Sequence, residues 1–142
     1  MNLKEILVVP GKKGVYKMVS HGKKAIIAES LLDGSRMPVF TSNRTTPLED
    51  IRIFTENEDM PLKEVFKRIF EAENGGKAID VYASKPSEIE EYMAKVLPEY
   101  DKDRVHISDM KKLFFWYNQL IEHNILSFEE ELAEETKESI ED

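Results

Sequence analysis

The chain has no cysteine among its 142 residues, which excludes disulfides, thiolate metal sites and a cysteine nucleophile, and fits a reducing compartment. No apolar run approaches the roughly 20 residues that cross a bilayer. The first residues, Met1 to Gly14, carry Glu5 inside a very short apolar run and lack a small-residue cleavage site, so no secretory leader is expected. Histidine is scarce, and His21, His106 and His123 stand apart from one another without metal or nucleophile spacing. Gly11-Lys12-Lys13-Gly14 spells the basic GXXG of a nucleotide-clamping loop, but that loop joins two helices and here a β run follows. These absences lead us to expect a cytoplasmic protein that is not an enzyme, takes no cofactor or metal, and does not enter a membrane.

Charge is what the chain has in quantity. Charged residues make up 34% of it and the formal net charge is −8. The sign is uneven: residues 1–55 hold nine Lys/Arg against five Asp/Glu, and the remainder holds eleven against twenty-three. Such asymmetry is what a surface for an anionic partner produces, and also what solvated faces produce by themselves.

The pattern of apolar residues then sets the architecture. Residues 15–54 read as short strands separated by turn residues, with Asp33-Gly34 and His21-Gly22 as two-residue hairpin turns. Those turns place Val15, Ala28 and Val39 on one face and Tyr16, Ile27 and Phe40 on the other, while Pro38 puts its strand at an edge. A small SH3-like or Sm-like barrel over residues 1–56 is the expected result. Glu56 to Asp59 reads as an acidic linker that caps the next helix. Apolar residues then recur at helical spacing in three segments: Leu62, Val65, Phe66, Ile69 and Phe70; Ile89, Tyr92, Met93, Val96 and Leu97; and Met110 to Ile121. A three-helix bundle over residues 57–128 is expected, giving an α+β chain. Residues 129–142, with eight Asp/Glu and one Lys, read as a disordered acidic tail.

The last helix, Ser108 to Asn124, contains the only tryptophan and the densest aromatic cluster. Trp116 is expected to be buried between helices, so that truncating it would cost about 3–5 kcal/mol. Phe115 projects from the opposite side and is either covered or offered to a partner. The candidate binding residues are the basic set Lys12, Lys13, Lys17, Lys23, Lys24, Arg36, Arg44 and Arg52, interleaved with Tyr16 and Phe40, together with Phe115. Basic grooves with aromatic platforms bind single-stranded nucleic acid.

Several short motifs point to a family. Gly14-Val15-Tyr16-Lys17, Pro38-Val39-Phe40, Pro61-Leu62-Lys63-Glu64-Val65-Phe66, Asn74-Gly75-Gly76-Lys77-Ala78, Leu97-Pro98-Glu99-Tyr100-Asp101 and Trp116-Tyr117-Asn118 resemble the bacterial family known as domain of unknown function 5606. The resemblance implies no activity and transfers no functional residue. The function expected from the residues is a non-catalytic adaptor for protein partners; the alternative is RNA or single-stranded nucleic-acid binding through the basic N-terminal half.

Overall fold

The structure is a computed structural model that describes residues 3–40 and 45–126. A 3-10 turn, Leu3–Glu5, leads into β1 (Ile6–Val8), followed by β2 (Tyr16–His21), β3 (Ala25–Ser30), β4 (Arg36–Phe40) and β5 (Thr46–Pro47). These strands form one antiparallel sheet in the order β4-β3-β2-β1-β5. The order is linear, so the closed barrel expected from the strand spacing is corrected to an open sheet. No ladder joins β4 to β5 among the described residues, and Pro38 in β4 has no N–H with which to extend pairing on the outer side.

Register is where the turns decide more than composition does. The tight turn between β2 and β3 is centred on Lys23-Lys24, because the Gly22 N–H donates to Ala25 O at 3.0 Å. Moving the turn by two residues keeps every side chain on its expected face. Val19 then undoes this: pairing runs from Ser20↔Ile27 to Met18↔Ala28, leaving Val19 as an extra residue. A bulge of this kind exchanges the two faces of the strand beyond it. Tyr16 therefore lies with Ala28 and Val39, not with Ile27 and Phe40, and joins Val9 in a small buried cluster. The β3–β4 connection is a four-residue loop, Leu31 to Gly34, closed by Ser30 N–H to Ser35 O at 2.8 Å, so Ala28 faces Met37 and Val39 faces Ile26. Phe40 is left 52% exposed.

Glu56 to Asp59 are not a linker. They form the turn of a second, two-stranded sheet, β6 (Arg52–Ile53) with β7 (Met60–Pro61), in which Thr55 and Glu58 are hydrogen-bonded and Arg52 Nη2 donates to Asp59 O at 3.0 Å. Helix α1 (Leu62–Ala72) starts directly from Pro61, with no side-chain cap, and ends where Asn74 and Gly75 take positive φ. Helix α2 (Pro86–Val96) begins with Pro86 in its first turn and with the Glu88 carboxylate accepting the Lys85 N–H at 3.0 Å. Helix α3 (Ile107–Glu122) is capped in the same way, with Asp109 accepting the His106 N–H at 3.0 Å, and starts one residue before the expected Ser108.

One apolar core runs through both halves. It joins Leu3, Ile6, Val15, Leu31 and Leu48 to Phe66, Ile89, Met93, Phe114 and Tyr117. Polar side chains of α3 and of His123 just after it tie the helix to Val15, to Leu31 and to the 76–79 link. Gln119 Oε1 accepts the Val15 N–H at 3.0 Å, His123 Nε2 lies 2.7 Å from Leu31 O, Tyr117 donates its hydroxyl to Gly76 O at 2.8 Å, and the Asn118 amide bonds Ala78 and Ile79. Burial pushes the Tyr117 phenol up. Burial, and then its bond to Glu73, does the same to Tyr92, so both remain neutral donors. The acidic tail expected at residues 129–142 lies outside the described residues.

Candidate functional site

The N-terminal half of α3 forms one wall of two adjoining clefts. The larger, about 320 Å³, is lined by the loop Val8 to Gly14, by Tyr82, and by Lys111, Lys112, Phe115 and Trp116 of α3. The smaller, about 170 Å³, lies between residues 51–54 and α3, and is reached by Arg104, Asp109, Lys112 and Trp116. Lys112 and Trp116 belong to both, so the clefts are two parts of one strip with the single tryptophan at its centre.

Six cations line this strip, Lys12, Lys13, Arg52, Arg104, Lys111 and Lys112, against the one carboxylate of Asp109. Four rings accompany them: Phe54, Tyr82, Phe115 and Trp116. Tyr82, 65% exposed, meets Phe115 edge-to-face with ring centroids 5.5 Å apart. The Lys13 ammonium sits 4.2 Å from the Tyr82 centroid and 5.4 Å from that of Phe115. The Arg104 guanidinium lies 3.6 Å above Phe54. Contacts of this type contribute about 0.5–1 kcal/mol at exposed positions, which biases the cations toward the rings.

The structure divides the candidate residues proposed from sequence. Lys12, Lys13, Arg52 and Phe115 come together on the strip. Lys23 and Phe40 meet instead at the far end of the β3–β4 hairpin, where Lys24 is exposed beside them. Lys17 stands opposite Glu29, and Arg36 pairs with the same Glu29 at 3.4 Å, so these two belong to a cross-strand charge row. Tyr16 is buried beneath the sheet and offers no ring to a ligand. Arg44 lies outside the described residues. Arg104, Lys111, Lys112 and Tyr82 were not singled out from sequence; the signal for the two lysines, a Lys pair just before the four aromatics Phe114 to Tyr117, sits in the part of the chain whose charge is strongly negative.

Trp116 is corrected too. It is half-buried and packs against the core from the strip, whereas Phe114 and Tyr117 are fully buried. Trp116→Ala is expected to lower the thermal midpoint by clearly less than Phe66→Ala; equal losses in melts of the two variants would return Trp116 to the core. Among the described residues no three His, Asp or Glu side chains converge as metal ligands, and no helix is long and apolar enough to cross a membrane.

Comparison with known proteins agrees with the motifs. Residues 3–48 match Domain of unknown function (DUF5606) and residues 51–120 match Domain of unknown function (DUF6852). A solution NMR structure from Bacteroides vulgatus, a Northeast Structural Genomics Consortium target, is 40% identical, covers 89% of this chain and 91% of its own, and superposes with a TM-score of 0.71. The chain belongs to the DUF5606 family. No curated protein matches it. The two matched stretches of this DUF5606 chain meet at the strip: its β1–β2 loop comes from the first, and residues 51–54, Tyr82, Arg104 and α3 from the second.

Proposed function

We propose that this protein is a non-catalytic adaptor that holds an acidic segment of a protein partner along the α3 strip. The observation that carries the reading is the seating of cations on the aromatic rings. With Lys13 over Tyr82 and Phe115, and Arg104 over Phe54, the layer a ligand meets first is cationic and supported by apolar surface. Carboxylates pair with such a layer while apolar side chains of the same segment enter the clefts below. Nucleic acid is the second reading. Six basic groups favour it, but base stacking needs open ring faces, and among the described residues a cation is placed over each of the four rings except Trp116.

A labelled Glu-rich peptide containing one Phe and one Leu, titrated by fluorescence anisotropy, tests this. Binding is expected to weaken as salt rises, and to weaken by about tenfold or more, equivalent to 1.4 kcal/mol, in K111E/K112E. Single-stranded oligouridine that binds more tightly than the peptide under the same conditions would put the nucleic-acid reading first.

A further inference from the structure

The strip has a candidate occupant within the same polypeptide. Beyond Leu126 the chain continues for sixteen residues, Ser127 to Asp142, which contain eight Asp/Glu, one Lys, and the apolar residues Phe128, Leu132 and Ile140. This is the composition the strip is complementary to: carboxylates for Lys12, Lys13, Lys111 and Lys112, and apolar side chains for the clefts beneath them. Reach is sufficient. At about 1.5 Å per residue, His123 at the end of α3 stands roughly 16 Å along the axis from Lys112. Sixteen residues span up to about 50 Å when extended. The segment also leaves from the same helix that walls the strip, so the tether is short and its effective concentration at the strip is in the millimolar range.

We propose that residues 127–142 dock in cis on the α3 strip, so that the adaptor is self-occupied and a partner binds by displacing its own acidic segment. The proposal rests on the strip being the binding face. Self-occupation lowers the apparent affinity for any partner by the fraction of molecules that are open. If nine in ten are closed, a partner is bound about tenfold more weakly than the open strip would bind it. At the same time it neutralises a cationic patch that would otherwise collect unrelated anions.

The test uses the full chain and its single tryptophan, which lies at the centre of the strip. In E129Q/E130Q/E131Q/E134Q/E135Q the docked segment loses most of its charge, and Trp116 emission is expected to shift to the red relative to the intact chain. High salt should produce the same shift in the intact chain, and the shift should not depend on protein concentration. A labelled peptide of sequence 127–142 is expected to bind the neutralised full-length variant about tenfold more tightly than the intact chain. Equal affinities with unchanged emission would overturn the cis docking, yet leave the strip as a binding face provided that K111E/K112E still weakens the peptide. A shift that grows with concentration would mean that the segment docks on a second copy, which also overturns it. Failure of both proteins to bind the peptide would remove the strip reading together with this one, and oligouridine binding the neutralised variant more tightly than the peptide would make nucleic acid the occupant.

Discussion

Phe66→Ala is expected to destabilise the protein by about 3–5 kcal/mol, the range for removing a large ring from a packed interior. Phe66 has no exposed surface and sits in the middle of α1, with its ring 5.8 Å from that of Tyr117. Because α1 also packs on the β6–β7 sheet and on the 3-10 turn Leu48–Asp50, the neighbours cannot collapse into the space from one side alone. The loss is a large part of the roughly 5–15 kcal/mol by which domains of this size are stable. Denaturant unfolding followed by circular dichroism would measure it. A change below about 1 kcal/mol would show that the Phe66 ring is not packed against Tyr117 as described.

Gly14→Ala is expected to be the most damaging change of a single methyl group. Gly14 has φ of +76°, a region in which a side chain costs about 1–2 kcal/mol. A Cβ at this position would also lie 2.8 Å from both Nε2 and Oε1 of Gln119. The end of a glutamine usually swings away from such an intrusion. Here the side chain is 3% exposed, and its Oε1 holds the Val15 N–H, so moving it leaves a buried backbone donor without a partner. The double variant Gly14→Ala/Gln119→Ala separates these contributions. Gln119→Ala alone should destabilise by removing the acceptor, and the pair should lose less than the two single losses added together, since the clash disappears with the amide. Strict additivity in the unfolding free energies would contradict the close approach of loop and helix.

Much of the helical architecture was legible because periodicity is local. Leu62, Val65, Phe66, Ile69 and Phe70 announce α1 whatever surrounds them, and all five are buried. The sheet was harder for a physical reason. Strand faces depend on a parity that one residue reverses, and nothing in Met18-Val19-Ser20 distinguishes a regular strand from one with an extra residue. Trp116 was misplaced because the buried stripe of α3, formed by Met110, Leu113, Phe114, Tyr117 and Leu120, is narrower than the apolar stripe in its sequence. The strip itself could not be read from charge counted along the chain. It gathers residues from the β1–β2 loop, the β6 strand, the 77–82 link and α3, and the lysines of α3 belong to a part of the chain in which acids outnumber bases overall, whereas along the strip six cations face one carboxylate.

The hydrogen bond from Val15 to Gln119 spans 104 positions of the chain, and that from His123 to Leu31 spans 92. Both bind the first-made part of the polypeptide to the last-made helix. During synthesis, the nascent sheet emerges with the Val15 N–H and the Leu31 carbonyl still facing water, and with Ile6 and Leu48 lacking the surface that covers them. Contacts this distant in sequence are slow to close, because the loop entropy is spent before the contact returns anything. The β1–β2 loop, and with it the Lys12-Lys13 end of the strip, therefore takes its final shape only after α3 has left the ribosome. A chain released before Gln119 carries the lysines of that loop but not the surface that arranges them.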